Sequence, residues 1–438
     1  QYEENIYAAV DPYRSFPLYY SNYEEEWLIA DSPWVLSEKT NNRRLQSLSE
    51  TEFLATGYVT NDKTLVKDIY QIQSGECIQL KKDTRKRKFY FSYRVNTPYD
   101  DEYELLKSNA YELIVNAFSR FVASLNERKV VLPLSGGFDS RLIACMLKYY
   151  EYENVLCFTY GRKGNKEIEY SKNVAERLGF EWRFIEYNDE LIRNFVNDND
   201  FKEYARYAGG LTSMFYMQEY FAVKYLKEKQ VIPDDSIFTP GIFGDFLGGG
   251  LLYRTGNVTI GEHTDQVAQR IYSTRYIYKA PKRSRISLLY DKIEKSLLEK
   301  FKRESDLSYS FQEDWEFKER YAKFIVNSCS IYTWFGYEFR LPLGDLEIVN
   351  FFRQLPLHSK MNKFLYDDLL TTEFFKDHDL NFEDELQANI AQIRRAKLRS
   401  RLKKNLPEFF KRLFVNKKED LYYREITSYM KADMVNEG

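Results

Sequence analysis

Six consecutive residues, Ser135-Gly136-Gly137-Phe138-Asp139-Ser140, have the types and spacing to handle the phosphates of a nucleotide. Two glycines let backbone N–H groups come close to an anion without a Cβ in the way. The helix that follows would put its positive end at the same place. Asp139 would repel a bare phosphate, so its presence makes sense if it holds Mg²⁺ bridging to one. The loop therefore suits the pyrophosphate part of a magnesium nucleotide.

Such a loop needs a rigid mount. Val130-Val131-Leu132-Pro133-Leu134 is a short apolar run that reads as a buried strand. Arg141-Leu142-Ile143-Ala144-Cys145-Met146-Leu147 repeats at helical spacing, so the loop is a strand-to-helix turn. Upstream the chain is β-rich, with strand patterns at 5–10, 18–20, 27–30, 69–72, 77–80 and 88–93 and turns at Asp11-Pro12, Ser21-Asn22 and Ser74-Gly75. Asp100-Asp101 is expected to cap a helix reaching about residue 125. From residue 129 strands alternate with helices, as a parallel sheet covered on both faces requires. After about residue 250 the pattern is mostly helical.

These motifs resemble the class II asparagine synthetases, within the PP-loop ATP pyrophosphatases that cut ATP between its α and β phosphates. The family's Ser-Gly-Gly-Leu-Asp-Ser loop is matched at 135–140. Its next strand, ending in glycine, is matched by Cys157-Phe158-Thr159-Tyr160-Gly161, and the acid-led helix by Glu167-Ile168-Glu169-Tyr170-Ser171. A second signature is altered in Gly241-Ile242-Phe243-Gly244-Asp245-Phe246-Leu247-Gly248-Gly249-Gly250. A third resembles Gly336-Tyr337-Glu338-Phe339-Arg340-Leu341-Pro342-Leu343-Gly344-Asp345 and leads to Lys363-Phe364-Leu365. The resemblance spans roughly residues 50–375.

It implies an α/β fold: a parallel-sheet PP-loop synthetase domain of the adenine nucleotide alpha hydrolase type, with a helical carboxyl-terminal part. A β-rich remnant of an Ntn-type glutaminase domain would precede it. The expected divisions are 1–95, 96–380 and a basic helical extension at 381–438. The implied chemistry is attack of a carboxylate on ATP, release of pyrophosphate, and displacement of AMP by ammonia or an amine. By resemblance Asp139 and Asp245 hold Mg²⁺, and Ser135, Gly136, Gly137 and Ser140 cradle the phosphates of ATP. Thr159, Tyr160 and Gly241 meet adenine and ribose through their backbone, and Lys363 neutralises the pyrophosphate. Taken singly, Asp245 would read as a helix cap and Lys363 as a solvated charge. Their order and spacing to the loop favour the site.

Two departures from the family matter. Residues 5–30, around Val10-Asp11-Pro12-Tyr13-Arg14-Ser15-Phe16-Pro17-Leu18-Tyr19, resemble only the later strands of the glutaminase domain, residues 53–76 continue that resemblance, and this sequence does not open with that domain's nucleophilic cysteine. Glutamine hydrolysis is not expected on this chain, so ammonia or a separate glutaminase would supply the nitrogen. At Ile242 the family carries a glutamate that takes a proton as nitrogen attacks. Isoleucine accepts none, and Phe243 and Phe246 make the pocket more apolar. The acceptor is therefore expected to be other than simple aspartate: a small molecule, a sugar acid or a peptide carboxylate. The competing reading is a non-catalytic homologue that serves as a scaffold or regulatory partner.

The remaining features exclude more than they assign. Lysine plus arginine (64) nearly balances aspartate plus glutamate (66), so no nucleic-acid partner is expected. Cys77, Cys145, Cys157 and Cys329 have neither metal nor disulfide spacing and read as reduced core thiols of a cytoplasmic protein. His263, His358 and His378 are too scattered for a metal site. Gly209-Gly210-Leu211-Thr212-Ser213 lies where the family shapes its acceptor pocket. The segment 394–418 is basic with interleaved leucines and phenylalanines; a solvated helix is the default, and peripheral contact with a membrane the sharper alternative. A homo-oligomer remains open.

Overall fold

Six strands lead the described part of the chain: β1 (Ile6–Ala9), β2 (Tyr19–Tyr23), β3 (Glu26–Ala30), β4 (Ile69–Gln71), β5 (Glu76–Lys81) and β6 (Thr84–Phe89). They form two antiparallel sheets, β1-β5-β6 and β3-β2-β4. The structure is a computed structural model and describes residues 5–82, 84–188, 198–254, 263–298 and 307–382. Along β5 the side chains alternate, and Ile78 and Leu80 join Val10, Tyr20 and Ile72 in one apolar cluster.

Local expectations shift in four places. The turn expected at Ser21-Asn22 lies inside β2, where both residues pair with β3, and the hairpin turns at Glu24-Glu25 instead. The strand expected at 88–93 lies at Thr84–Phe89 instead. Beyond it Tyr90 and Phe91 turn their N–H groups to the Gly75 carbonyl, and Tyr93 gives its own to Asp314 at 2.8 Å. The Tyr93 ring then stacks on Phe317, 5.1 Å between centroids. Burial of an aromatic ring thus outweighs continuation of an edge strand. The helix expected from 100 runs over Tyr103–Ala123 with Glu102 at its cap, and no side chain caps it. Two helices, Pro33–Lys39 and Ser47–Thr56, interrupt the β-rich region. The second is fixed by tertiary contact: its buried Glu52 accepts from Lys292 at 2.6 Å, Thr60 Oγ1 at 2.7 Å and Tyr276 at 2.9 Å.

The central sheet is wholly parallel, in the order β11-β10-β7-β8-β9. Its strands are β7 (Val130–Pro133), β8 (Val155–Gly161), β9 (Glu181–Glu186), β10 (Ile237–Phe238) and β11 (Glu338–Phe339). Helices Phe138–Tyr149 and Lys166–Leu178 make the two crossovers from β7 to β9. Val130, Val131 and Leu132 pack with Leu142, Ile143 and Leu147 in a fully buried core. The chain then reverses its direction of travel across the sheet, laying β10 on the other side of β7. Such a reversal leaves a crevice at the carboxyl ends of the two strands, and ligands bind in crevices of this kind.

Behind that crevice stands an unusual helix. Ser308–Glu316 is α-helical and continues as a π-helix over Phe317–Ile325. All of its charged residues except Arg320 are buried, and several tie down the amino-terminal layer. Lys323, 0% exposed, donates to Glu319 at 2.6 Å, Asn61 O at 2.7 Å and Val59 O at 3.2 Å. Glu319 also accepts from the Asn61 N–H at 2.8 Å and from Gln73 at 3.0 Å. Lys323→Met would strand that carboxylate without its cation. We expect a loss of about 3–5 kcal/mol in urea unfolding; a change under ~1 kcal/mol would mean that Glu319 recruits another donor.

Residues 1–378 form one compact unit and 379–438 a second, of which only 379–382 are described. The basic segment 394–418 therefore lies outside the described residues. Among the described residues no helix is long and apolar enough to cross a membrane. All four cysteines are free thiols; Cys145, Cys157 and Cys329 are buried and Cys77 half-buried.

Candidate functional site

The loop 135–140 leaves β7 and turns directly into the helix that begins at Phe138. Its serines close it: the Ser135 and Ser140 hydroxyls lie 3.2 Å apart, and the Gly137 N–H donates to Ser135 Oγ at 3.2 Å. Ser140 Oγ also donates back to the Ser135 carbonyl at 3.2 Å. Gly137 caps the helix without a side-chain hydrogen bond, so the first-turn N–H groups face the loop. Ser135 and Gly137 are exposed and Gly136 is buried.

The loop after β10 meets it across the crevice. A Cβ on Gly241 would lie 2.6 Å from the Ser140 backbone nitrogen, so only glycine permits this approach. Asp245, in the short helix Gly244–Leu247, donates its N–H to Asp139 Oδ2 at 3.1 Å. Tyr366 donates its hydroxyl to Asp139 Oδ1 at 3.1 Å. Burial pushes the Asp139 carboxyl up to about 6, although the Asp245 N–H and the Lys363 ammonium pull the other way. A carboxylate held against its own desolvation is suited to gain a cation.

Lys363 faces the pair. Its ammonium is 3.7 Å from Asp245 Oδ1 and 3.1 Å from Asp367 Oδ1. Burial works against the charge, but Asp367, Asp245 and Asp139 outweigh it and hold the ammonium above its ordinary range. Asn362 and Lys363 are both left-handed, with φ of 59° and 57°. Phe243, wholly buried, has φ 87° and ψ −43°. Such conformations cost on the order of 1–3 kcal/mol each and persist only where the surroundings enforce them. Three of them stand near the two carboxylates: Asn362, Lys363 itself, and Phe243 just before Gly244.

Of the two remaining predicted residues, Thr159 sits at the root of the loop. Thr159 Oγ1 donates to the Leu134 carbonyl at 2.7 Å and receives Trp182 Nε1 at 3.3 Å. Tyr160 points away, its hydroxyl 3.0 Å from that of Tyr216. Ser135, Gly136, Gly137, Asp139, Ser140, Gly241, Asp245 and Lys363 thus converge, with Thr159 at the base of the loop and the Tyr160 hydroxyl engaged by Tyr216. Gly209-Gly210-Leu211-Thr212-Ser213 instead pairs with the amino-terminal layer: Val59 N–H donates to Thr212 O at 2.7 Å and Leu65 N–H to Leu211 O at 2.8 Å.

Sequence reasoning missed three supporting residues. Arg141, 1% exposed, donates to the Gly136 carbonyl and lies 5.2 Å from the rings of Phe138 and Phe375. Tyr366 follows Lys363 by three residues, the helical spacing that could have revealed it. Tyr321, on the π-helix, accepts the Phe243 N–H at 2.5 Å, and nothing in its sequence context announces this.

The residues fit a magnesium–nucleotide pair. Asp139 and Asp245 could offer two hard oxygen ligands, and among the described residues no cluster of three metal-binding side chains exists. Two carboxylates completed by phosphate oxygens are what Mg²⁺ takes in nucleotide sites. Gly244→Ala tests this packing, since a Cβ there would strike Asp139 and Tyr366. We expect a folded protein whose apparent Mg²⁺ affinity falls roughly 10- to 100-fold, read by Mg²⁺ titration of nucleotide binding; unchanged affinity would show that Asp139 is not a ligand.

Comparison with known proteins bears on one part of this site. No curated protein matches the chain. Among solved structures, similarity extends to an NH3-dependent NAD synthetase from Campylobacter jejuni subsp. jejuni NCTC 11168 in complex with the nitrate ion. It is 14% identical over 46% of this chain and 98% of that one, with a TM-score of 0.25. An NMN synthetase from Francisella tularensis is 13% identical over 49% and 93%, also with a TM-score of 0.25. Residues 112–231, which carry β7, the glycine loop, β8 and β9, match the Asparagine synthase family.

Proposed function

We propose that this chain is an ATP-dependent, AMP-forming amide ligase. It would adenylate a carboxylate with release of pyrophosphate and then amidate it with ammonia or an amine. The family match over 112–231 supports an ATP-dependent ligase function in general. The observation that carries the finer reading is the meeting of Asp139, Asp245 and Lys363 beside the glycine loop at the sheet's reversal point.

In this reading Asp139 and Asp245 hold Mg²⁺, which when bound neutralises charge on phosphate oxygens. The glycine-loop N–H groups and the Ser135 and Ser140 hydroxyls bind the phosphates. Tyr366 holds the Asp139 carboxylate in place. Lys363 exchanges a carboxylate partner for the departing pyrophosphate, where negative charge develops. Ile242, half-buried, offers no proton acceptor, so the proton of the attacking nitrogen must leave to solvent or substrate. That loss, typically worth on the order of 10²–10⁴-fold, favours an acceptor other than simple aspartate, such as a sugar acid or peptide carboxylate. The β-rich amino-terminal layer is read as a glutaminase remnant from its 10–19 motif, with nitrogen supplied as ammonia or by a separate partner.

Ile242 also favours a second reading, a non-catalytic relative that kept the fold. The experiment that separates them is carboxylate-dependent exchange of labelled pyrophosphate into ATP, with Asp139→Ala as the blank. The acid panel comprises aspartate, glutamate, uronic acids, their nucleotide conjugates and carboxyl-terminated peptides. Exchange with one acid, absent in the variant, supports the ligase. Silence across the panel together with no calorimetric Mg²⁺–ATP binding establishes the scaffold.

A further inference from the structure

The turn at 11–15 belongs to the amino-terminal layer, yet one of its side chains ends on the ring of Phe243, the residue that precedes Gly244 and Asp245. Asp11 folds the turn. Its Oδ1 accepts the Tyr13 N–H at 2.9 Å and the Ser15 hydroxyl at 3.0 Å, and its Oδ2 the Ser15 N–H at 2.8 Å. This is the local bonding by which aspartate builds a turn. Pro12 fixes one φ, and Ser74 Oγ donates to its carbonyl. Arg14 is buried at 1% exposure, its guanidinium donating to Ile72 O at 3.3 Å and Tyr19 Oη at 3.2 Å. Tyr13 therefore leaves a turn that has little freedom of its own.

The Tyr13 ring meets Phe243 edge-on, with centroids 4.8 Å apart and planes at 68°, and lies 5.9 Å from Phe317. Its hydroxyl donates to the Gly344 carbonyl. Phe243 is thus held on one side by Tyr13 and on another by Tyr321, whose ring is 4.9 Å away and whose oxygen takes the Phe243 N–H. Its φ of 87° is one that a phenylalanine does not adopt unaided. The two residues that follow are Gly244, pressed on Asp139, and Asp245, bonded to it.

We propose that Tyr13 is a positioning residue: the wedge by which the amino-terminal layer holds the Phe243 turn and so fixes Asp245 against Asp139. The proposal rests on the phosphate-handling role read for those carboxylates. It gives the amino-terminal layer a part in the site that needs no chemistry of its own.

Amide hydrogen exchange across 241–248 tests it without nucleotide. Tyr13→Ala should speed exchange of the Gly244 and Asp245 amides about tenfold or more while β7 and β8 keep wild-type rates, and Tyr13→Phe should stay near wild type because the ring remains. In pyrophosphate exchange the Mg²⁺ needed for half-maximal rate should rise about tenfold with kcat within about threefold, the size expected for loss of a ligand's support. Glycine takes a positive φ freely, so adding Phe243→Gly to Tyr13→Ala should recover much of the lost protection. Tyr13→Leu, which keeps a buried apolar side chain, answers the same question where Tyr13→Ala does not fold. Unchanged exchange at 244–245, or exchange raised equally throughout the fold, overturns the proposal. A wild-type protein silent both in pyrophosphate exchange and in Mg²⁺–ATP calorimetry, but with Tyr13-dependent protection, sinks the ligase reading and leaves the wedge standing.

Discussion

Asp139→Asn is expected to abolish pyrophosphate exchange and, above pH 6, to stabilise the protein. The two effects have one cause. Burial raises the folded-state pKa of Asp139 to about 6, against about 3.9 in an unfolded chain. A carboxyl raised in this way contributes stability that is fully present below about pH 4. That stability is lost as pH climbs through 6 and the folded protein is forced to carry the charge. Asparagine never ionises and so never incurs the loss. After allowance for solvent screening at a half-buried group, the variant should gain about 1–2 kcal/mol at pH 8. Near pH 4 it should gain almost nothing.

Urea midpoints at pH 4 and pH 8, measured in EDTA so that bound metal does not add to the wild type, read this difference directly. A lower midpoint for the variant at pH 8 would mean that Lys363 and the Asp245 N–H compensate the charge fully, and would refute the account of the raised pKa. On the proposed reading, activity should fall on the order of 10³-fold or more, because the group that would hold the cation against developing charge is gone. In the wild type, apparent Mg²⁺ affinity should drop below pH 6 as Asp139 takes a proton.

Lys363→Met should lower kcat for exchange on the order of 10²–10³-fold while the KM for ATP moves only a few-fold. Methionine keeps the unbranched stem and removes the charge. In the structure the ammonium is engaged by Asp245 and Asp367, so its exchange onto pyrophosphate would be realised when charge builds there. That is the condition for an effect on kcat rather than on binding. Lys363→Arg should not restore the rate, since a planar guanidinium cannot replace a compact ammonium at the end of a left-handed residue. A KM effect without a kcat effect would make Lys363 a ground-state ligand and remove it from the chemistry.

Much of this site was legible before any coordinates. The glycine loop, its strand and its helix are local in sequence, and period and turn chemistry specify them. Asp139 could be singled out because an acid beside an anion loop suggests a cation, and the folded chain sets it against the Asp245 N–H and the Tyr366 hydroxyl. The expected strand at 88–93 failed where a distant ring competed: Tyr93 leaves the edge for Phe317 and Asp314, more than 200 residues away. The helix Ser47–Thr56 went unseen for a similar reason, since Lys292 and Tyr276 hold its buried Glu52.

Lys360 and Lys363 look alike in the sequence. Tertiary structure buries the first against Glu313 at 2.8 Å and turns the second toward Asp245. The amino-acid order therefore determined the elements that local periodicity and turn residues encode, together with most of the residues that meet at the crevice. What only the folded chain decided was which charges are paired away and which are presented. That depends on desolvation and on contacts between residues far apart in sequence, to which no local pattern responds. Tyr13 and Phe243 belong to the second class, since a strained turn is visible only once something distant is seen to hold it.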